Sequence, residues 1–325
     1  MRVLITGGTG FLGQQVAREL LGVGDDPILA GRALCRIEPA LAETVCCRRL
    51  DLRDHQAVVD ACRGVDAVVH AGAFSAPWGP ENEFRAVNIG GTASVIAGCH
   101  RHRVRRLVAI SSPSVVFVGK DVVRSTEAAP YPAKFLSTYA RTKKIAEDLV
   151  RDAAGDLETV VLRPKALFGP GDRTLVPRLT EAARRGRLPQ VGDGKNLVDL
   201  TYVDNAALAV VAALHRDQPV GRTYTITNDE PASIWDLIRR VLDRLGLPEP
   251  RPRLPLAVAV GLAGLLEQAA ARTGGTPALT RYTALILGRT QTYDITAARR
   301  DLDYRPRVSL EDGIARTLAA LDGQR

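Results

Sequence analysis

The chain has 325 residues, of which 46% are hydrophobic and 25% are charged, a composition typical of soluble globular proteins. Its length predicts one large domain or two moderate ones, and its composition excludes a disordered tail, a collagen-like rod and a fibrous repeat. The net charge of +8 comes from 44 basic and 36 acidic side chains. The basic residues are scattered in pairs, so we expect a solvated surface and no nucleic-acid partner.

The cysteine spacing and the apolar stretches of the sequence indicate the cellular compartment. The five cysteines lack the CxxC spacing of a zinc site or a redox pair, so we expect no metal and a reducing, cytoplasmic environment. An apolar segment follows Met1 directly, which leaves no room for a secretion signal ahead of the fold. The longest apolar stretch, residues 254–266, is shorter than the ~20 residues of a membrane-spanning helix, so only a peripheral membrane contact stays open.

In chain order, short apolar strands alternate with helical patterns. We predict strands at residues 2–6, 28–30, 45–50, 67–70, 107–111 and 159–162, and helices at 11–21, 56–62, 84–102 and 139–154. This alternation predicts an α/β fold with a doubly wound parallel sheet, the Rossmann architecture.

After residue 170 the pattern loosens. Helices are predicted at 175–185, 205–214, 234–245 and 310–321, with strand-like pieces at 200–203 and 224–227. We therefore predict a dinucleotide-binding domain over residues 1–170 and a smaller C-terminal α/β substrate lobe over residues 171–325. Some strands and helices of the lobe should return to the Rossmann core, and the lobe itself should lack an independent core.

A glycine-rich segment lies between the first predicted strand and the first predicted helix. Gly8, Gly10 and Gly13 follow the GxGxxG spacing of dinucleotide-binding loops, and Gly7 gives a wider spacing with the last two. Without side chains, the backbone can approach a pyrophosphate, which the N–H groups at the positive end of the helix then bind. A plain tight turn is the alternative, but the strand-turn-helix context favours the dinucleotide site.

The residue after the second predicted strand discriminates between the nicotinamide cofactors. An acidic residue there accepts a hydrogen bond from the ribose of NAD, whereas an arginine accommodates the 2′-phosphate of NADP. Here the strand is followed by Gly31 and Arg32, and the first acid on the loop is Glu38. We therefore expect NADP(H) with Arg32 on the phosphate, and NAD(H) with a surface arginine is the alternative.

Tyr139 and Lys143 lie four residues apart at the start of a predicted helix and therefore share one face. The ammonium of Lys143 can lower the phenol pKa from its usual ~10 and let Tyr139 exchange a proton with a substrate oxygen. An exposed helix face is the alternative. A second pair, Tyr131 and Lys134, has a spacing of three and contains Pro132, which disfavours a helix.

Three serines end the fifth predicted strand, at the carboxyl edge of the sheet where ligands bind in this architecture. A serine hydroxyl there can hydrogen-bond the substrate carbonyl opposite the tyrosine. We favour Ser112 for this role, with Ser114 as the second choice.

At these positions and others, the chain resembles the extended short-chain dehydrogenase/reductase superfamily, which also contains the NAD-dependent epimerases and dehydratases. The matching motifs are Gly7 to Gly13, Asp51-Leu52-Arg53-Asp54, His70-Ala71-Gly72-Ala73, Asn88-Ile89-Gly90-Gly91-Thr92, Tyr139-x-x-x-Lys143 and Leu162-Arg163-Pro164. Residues 111–117, 168–172, 192–199 and 227–231 are similar to the 3β-hydroxysteroid dehydrogenase group within it. That group includes sterol 4-carboxylate 3-dehydrogenases and bacterial 2-alkyl-3-oxoalkanoate reductases.

The resemblance implies a role for each matching residue. Tyr139 would be the proton donor or acceptor, Lys143 would bind the nicotinamide ribose and tune Tyr139, and Ser112 would hold the substrate oxygen. The implied cofactor contacts are Gly7, Gly10, Phe11, Leu12 and Gly13 at the glycine loop, Asp51 and Leu52 beside the adenine, Ala71, Gly72 and Ala73 along the cleft, and Pro164 near the nicotinamide amide. Structural alternatives are that Asp51 caps a helix and that Pro164 ends a strand.

These residues predict an enzyme that interconverts a secondary alcohol and a ketone on a small apolar substrate, either 3-hydroxysteroid-like or 3-oxo/3-hydroxy acid-like. The apolar character is suggested by Phe74, Pro77, Trp78, Phe135 and residues 254–266. We also expect a homodimer.

Two other functions stay open. A sugar-nucleotide epimerase shares the fold and the Tyr-Lys pair, and a non-catalytic dinucleotide sensor would keep the cleft without the chemistry. Dehydration is not expected, because Pro113 and Ser114 stand where the sugar dehydratases of the superfamily carry Asp-Glu. In the segment over residues 251–266, the part that follows the prolines is apolar on every helical face. Either the lobe buries this segment entirely, or part of it contacts substrate, a partner or a membrane.

Overall fold

The computed structural model describes residues 1–322. Its fifteen strands within that range are β1 (Arg2–Thr6), β2 (Asp26–Gly31), β3 (Cys46–Arg49), β4 (Ala67–His70), β5 (Arg106–Ile110), β6 (Val122–Ser125), β7 (Glu158–Pro164), β8 (Leu167–Phe168), β9 (Gln190–Val191), β10 (Leu197–Val198), β11 (Thr201–Tyr202), β12 (Arg222–Ile226), β13 (Ala232–Ser233), β14 (Arg253–Leu254) and β15 (Gln291–Tyr293).

The helices of the same range are α1 (Phe11–Gly22), α2 (Pro39–Thr44), α3 (His55–Ala61), α4 (Glu81–Phe84), α5 (Gly91–His102), α6 (Thr138–Asp152), α7 (Leu175–Arg184), α8 (Val203–His215), α9 (Ile234–Arg244), α10 (Leu256–Thr273), α11 (Arg281–Gly288), α12 (Thr296–Leu302) and α13 (Leu310–Asp322). Short 3-10 turns occupy Leu34–Arg36 and Pro113–Val115, and a π-helical turn occupies Arg85–Gly90.

Seven parallel strands form the central sheet, in the order β12-β7-β5-β4-β1-β2-β3. Val3, Leu4 and Ile5 of β1 are fully buried, because helices cover both faces of the sheet. Helices α1, α8 and α12 contribute to the core on one face, and α3, α5 and α6 to the core on the other. The predicted α/β, doubly wound fold is confirmed, and the six predicted strands of the first half lie within two residues of the observed ones.

The predicted helix over residues 84–102 is interrupted. It consists of α4, the π-helical turn and α5 in succession. The turn carries Asn88, which is 1% exposed, and a π-helical turn often marks a functional site.

The smaller lobe has a core of its own, so the expectation that it lacks one is wrong. Trp235 and Ile238 of α9 are buried against Val191, Ala259 of α10 and Ala284 of α11. The two-residue strands that surround this cluster are too short to show a period in the sequence, which is why it was missed. Strand β12 and helix α8 lie in the main sheet and its core, and a division at residue 170 stays a prediction.

Helix α10 buries only its small residues. Ala259 and Ala263 are fully buried, whereas Val258, Leu262 and Leu265 are 54%, 44% and 66% exposed. The alternative in which the lobe buries this segment entirely is therefore wrong. Among the residues that the structure describes, no helix has the length and apolar character to cross a membrane.

Candidate active site

The glycine loop after β1 leaves no room for side chains. Gly7 has a φ of +69°, and a Cβ there would lie 2.6 Å from the backbone nitrogen of Gly72. A Cβ on Gly13 would lie 2.6 Å from the carbonyl oxygen of Gly7. No side chain caps α1 at Gly10, so its first N–H groups keep the open arrangement that a pyrophosphate requires. A plain tight turn would not require a glycine at both of these positions.

The loop after β4 forms the adjoining wall. Ala71 N donates to the carbonyl oxygen of Thr6 over 3.1 Å, which holds Ala71 to Ala73 beside the glycine loop. Gly72 is buried, and a Cβ on it would lie 2.7 Å from Cδ1 of Leu52. The structure therefore brings Leu52 and Gly72 together, as a shared cofactor cleft requires.

Asp51 and Arg32 lie at the far end of this cleft. The Arg53 guanidinium donates to the Asp51 carboxylate over distances of 2.7 to 3.1 Å and, with a smaller contribution from the charge of Arg32, lowers the pKa of Asp51. Asp51 does not cap α3, because Asp54 does so by accepting from Ala57 N over 3.0 Å. Arg32 is exposed just after β2.

Three other predicted contacts have different surroundings. The Phe11 ring lies against Gly169, where a Cβ would be 3.2 Å from its Cζ. The Leu12 side chain is part of the hydrophobic core, so only its backbone faces the loop. Pro164 is buried at the end of β7 opposite Ile226, at the carboxyl edge of the sheet. Pro164 thus ends a strand and also lies at the ligand-binding edge.

Tyr139 and Lys143 lie on the first turns of α6, as their spacing predicts. Ser137 caps this helix by accepting a hydrogen bond from Ala140 N over 3.1 Å. The Lys143 side chain is 4% exposed, and its Nζ donates to the carbonyl oxygen of Ile110 over 2.6 Å. Burial lowers the pKa of Lys143 to about 8, although the Glu147 carboxylate opposes that shift.

The expectation that Lys143 lowers the phenol pKa is not met in this arrangement. Burial, followed by the neighbouring phenol of Tyr282, raises the pKa of Tyr139 above its ordinary value, and the Ser112 hydroxyl opposes that rise. The physical reason is that the ammonium of Lys143 donates to the Ile110 carbonyl, while burial disfavours the phenolate. The Tyr139 phenol therefore keeps its proton at neutral pH in this arrangement.

The two candidate serines have different neighbours. Ser112 caps the 3-10 turn by accepting from Ser114 N over 3.3 Å, and its hydroxyl lies beside Tyr139. Ser114 is 7% exposed, and its hydroxyl lies beside Tyr282 instead. This arrangement supports the choice of Ser112 as the partner of Tyr139.

A buried ion pair that the sequence analysis missed fixes α6 on the sheet. Arg163 of β7 donates to both carboxylate oxygens of Glu147 over 2.8 and 2.6 Å, and Tyr131 donates to the same carboxylate over 2.8 Å. Tyr131 thus belongs to this network and not to a second catalytic pair. Two features of the sequence indicate the ion pair: an arginine inside an apolar strand, and an acidic residue one helical turn beyond Lys143.

Two more buried polar residues tie the site together. His70 bridges Thr6 and Thr92 over 2.7 and 3.0 Å, and burial, followed by the charge of Lys143, lowers its pKa to about 3. The Asn88 side chain accepts from Phe74 N over 2.7 Å and donates to Thr142 of α6 over 3.1 Å. The motif around Asn88 therefore connects the loop after β4 to α6.

Comparison with known proteins assigns this arrangement to a family. Residues 4–256 match the 3-beta hydroxysteroid dehydrogenase/isomerase family. The chain belongs to that family. It is 41% identical to a 2-alkyl-3-oxoalkanoate reductase of Stenotrophomonas maltophilia, over 98% of this chain and 99% of that protein. It is 34% identical to a sterol-4-alpha-carboxylate 3-dehydrogenase, decarboxylating, of Mus musculus, over 97% of this chain and 89% of that protein.

Solved structures share the fold of this 3-beta hydroxysteroid dehydrogenase/isomerase family member. A UDP-glucuronic acid 4-epimerase from Bacillus cereus in complex with NAD has a TM-score of 0.78 and 22% identity, and covers 99% of each chain. A dTDP-glucose 4,6-dehydratase from Streptomyces venezuelae with NAD bound, a double mutant, has a TM-score of 0.78 and 25% identity, with coverage of 100% of this chain and 98% of that one.

Family membership, taken with the relatives, confirms the predicted class of enzyme. The protein is an oxidoreductase that acts on a CH-OH group, interconverts a secondary alcohol and a ketone, and uses a nicotinamide dinucleotide. The predicted resemblance to the 3β-hydroxysteroid dehydrogenase group is confirmed as well.

Proposed function

We propose that this enzyme interconverts a 3-oxo acid and a 3-hydroxy acid that carry an apolar substituent, of an alkyl or ring type. The two relatives named above act, by their names, on a 2-alkyl-3-oxoalkanoate and on a sterol 4-carboxylate oxidised at carbon 3. In both compounds the carboxylate is attached to the carbon next to the one that is oxidised or reduced. The observation that carries the proposal is the hydroxyl pair of Ser112 and Tyr139 at the carboxyl edge of the sheet, with Lys143 one turn away.

The described residues fit a nicotinamide dinucleotide. The glycine loop excludes any Cβ from the pyrophosphate position, and the buried Lys143 ammonium offers donors to ribose hydroxyls. Arg32 and Leu52 would lie toward the adenosine half, and Pro164 toward the nicotinamide. When bound, the cofactor supplies or accepts the hydride.

The chain's own residues would move the proton. In the reductive direction, the protonated Tyr139 hydroxyl donates its proton to the substrate carbonyl oxygen as negative charge develops there. The Ser112 hydroxyl donates a hydrogen bond to the same oxygen and so stabilises that charge. In the oxidative direction the proton moves from the substrate hydroxyl to the Tyr139 oxygen, and Ser112 again contacts the substrate oxygen.

A cofactor-oxidation screen tests this proposal. NADPH and NADH are offered with a 2-alkyl-3-oxoalkanoate and a 3-oxosteroid, and nicotinamide absorbance reports ketone reduction. A UDP-sugar is incubated with oxidised cofactor, and chromatography of the sugar products reports epimerisation, which consumes no net cofactor. We expect turnover of the 3-oxo acid, with a KM that falls as the alkyl chain lengthens, since each buried methylene contributes ~0.8 kcal/mol. Efficient conversion of the UDP-sugar alone would favour the epimerase, and cofactor binding without any turnover would favour the sensor.

We further propose that the cofactor is NADP(H) and that Arg32 selects it. Arg32 is exposed at the carboxyl end of β2, while the nearby Asp51 carboxylate is already occupied by Arg53. A guanidinium–phosphate contact is worth about 1.5 to 3 kcal/mol, so Arg32→Ala should raise the NADPH dissociation constant by roughly 10- to 150-fold. Calorimetry should show little change for NADH. As a control, Arg63→Ala removes an equal charge at an exposed position after α3.

If wild type bound NADH more tightly than NADPH, or if Arg32→Ala weakened both cofactors equally, Arg32 would have no selective role.

We also propose that the enzyme works in the cytoplasm as a homodimer and touches anionic membranes through α10. Free thiols at all five cysteines suit a reducing compartment. The exposed Val258, Leu262 and Leu265 lie just beyond the exposed Arg251 and Arg253, a pairing of apolar and basic groups that suits an anionic lipid surface. Sedimentation velocity tests the dimer, and co-sedimentation with anionic against neutral vesicles tests the contact.

A further inference from the structure

The Ser114 hydroxyl has no hydrogen-bond partner among the described residues. Ser114 is 7% exposed, and its Oγ is buried without a bonded group within residues 1–322. Buried polar groups are almost always hydrogen-bonded, because leaving one unpaired is unfavourable. An unpaired hydroxyl only two residues from Ser112 therefore indicates a position for a ligand atom.

Tyr282 presents a second hydroxyl at the same place. It belongs to α11, a helix of the smaller lobe that the sequence pattern did not predict. Thr280 caps α11 by accepting from Thr283 N over 3.0 Å, and Glu267 of α10 accepts from Arg281 N and Nε over 2.7 and 2.6 Å. Leu285, one turn after Tyr282, lies against Gly119, where a Cβ would be 3.2 Å from its Cδ1.

The Leu285 contact places α11 against the segment that follows β5. The Tyr282 hydroxyl consequently lies beside the Ser114 hydroxyl, and its ring is close enough to Tyr139 to raise the pKa of that phenol. Burial raises the pKa of Tyr282 itself to about 12, so its hydroxyl keeps its proton and can donate at physiological pH.

We propose that Ser114 and Tyr282 bind the carboxylate of the substrate, beside the Ser112 and Tyr139 pair that holds the oxygen at carbon 3. This inference rests on the proposed 3-oxo or 3-hydroxy acid substrate. A carboxylate only accepts hydrogen bonds, and each of the two hydroxyls offers one donor. In such an acid the carboxyl carbon is separated from the reacting carbon by a single carbon, so its carboxylate must bind close to the groups that hold the oxygen at carbon 3.

The test compares two alcohols in the oxidative direction. One is a 2-alkyl-3-hydroxyalkanoate, and the other is the secondary alcohol in which a methyl group replaces the carboxylate. Their kcat/KM ratio measures the contribution of the carboxylate in wild type, Tyr282→Phe, Ser114→Ala and the double variant. Loss of a charge-assisted hydrogen bond should lower the ratio by roughly 10- to 150-fold for Tyr282→Phe, mainly through the KM of the acid.

Two controls separate this role from general damage. Tyr304→Phe removes a buried phenol that donates to the Thr227 carbonyl over 3.0 Å, in another part of the protein, and should leave the ratio unchanged. Ser114→Ala removes an unpaired buried hydroxyl, so its Tm should not fall even though its ratio does. Calorimetric binding of the hydroxy acid to the enzyme with oxidised cofactor should weaken in the same variants.

A failure of the carboxylate pair can be told apart from a failure of the proposed reaction. If Tyr282→Phe and Ser114→Ala keep the wild-type ratio while Tyr139→Phe is inactive, the proposed function stands and the carboxylate pair is rejected. If wild type treats the two alcohols alike, or both lose rate equally in Tyr282→Phe, the pair is also rejected. If Tyr139→Phe keeps turnover, it is the proposed chemistry that fails.

Discussion

The glycine loop, which we propose binds the cofactor, and the wall that carries Ser114 and Tyr282, which we propose binds the substrate, are built in different ways. In the loop, Gly7 and Gly13 are required because a Cβ would collide with backbone atoms at 2.6 Å. In the wall, the Ser114 hydroxyl from the turn after β5 lies beside the Tyr282 hydroxyl from α11. Backbone sterics thus fix the proposed cofactor side, whereas contacts between distant segments fix the proposed substrate side.

This difference predicts how substitutions will act. A change in the loop should remove cofactor binding whatever the substrate, because it alters the shape of the backbone. A change in the wall should alter the choice of substrate and leave cofactor binding alone. A change at Tyr139, the proposed proton donor, should affect the chemical step for every substrate.

The largest effect is expected for Tyr139→Phe. The change removes the proton-transfer hydroxyl without altering the packing volume, and general acid catalysis contributes about 10² to 10⁴-fold. We expect kcat to fall by that factor while the cofactor dissociation constant stays almost constant, measured by steady-state kinetics and calorimetry. Tyr131→Phe is a matched change in the Glu147–Arg163 network and should lower the Tm much more than the rate. Wild-type rates in purified Tyr139→Phe would exclude this residue as the acid.

Gly13→Val is expected to abolish cofactor binding. Its Cβ would lie 2.6 Å from the Gly7 carbonyl oxygen and 2.7 Å from Gly8 Cα, so the loop must open and lose its shape. Loss of even one charged hydrogen bond to a pyrophosphate weakens binding about tenfold or more. Gly22→Ala, at the other end of α1, has open space around its Cβ and should leave cofactor binding intact. Equal cofactor affinity in both variants would contradict a steric role for Gly13.

The pH dependence of cofactor binding should report Lys143. Burial lowers the pKa of this lysine to about 8, so it is charged below that pH and loses its proton above it. The charged ammonium should bind the cofactor more strongly than the neutral amine does, because its hydrogen bonds are charge-assisted, so the cofactor dissociation constant should rise as pH increases above 8. For one linked proton the rise is at most about tenfold per pH unit.

Lys143→Met should bind the cofactor weakly at every pH, with no further rise of the dissociation constant above pH 8. Lys144→Met, at the next position of α6, should keep the wild-type pH dependence. A wild-type affinity that does not vary between pH 7 and 10 would show that the Lys143 charge plays no part in binding.

The same contrast explains what the sequence could predict. The buried strands, the glycine loop and the Tyr139–Lys143 pair depend on period and spacing within a few residues, and each of these elements lies where its pattern predicts. The Arg163–Glu147 ion pair joins β7 to α6, and Tyr282 reaches Ser114 only after α11 has packed on the lobe. Such pairs leave no mark on local periodicity, because neither partner is near the other in the chain.

Leu265→Ser should have the smallest effect, and it tests the outer face of the lobe. A leucine that is 66% exposed buries little apolar surface, and surface changes away from special features usually stay within about ±0.5 kcal/mol. Ala263→Leu, on the buried face of the same helix, would force three more carbons into the lobe's core and should cost about 1 to 3 kcal/mol. Chemical denaturation of both variants measures the difference. If Leu265→Ser destabilised the protein as much as Ala263→Leu, the outer face of α10 would be packed against another part of the protein or a second copy, and the proposed membrane contact would lose its surface.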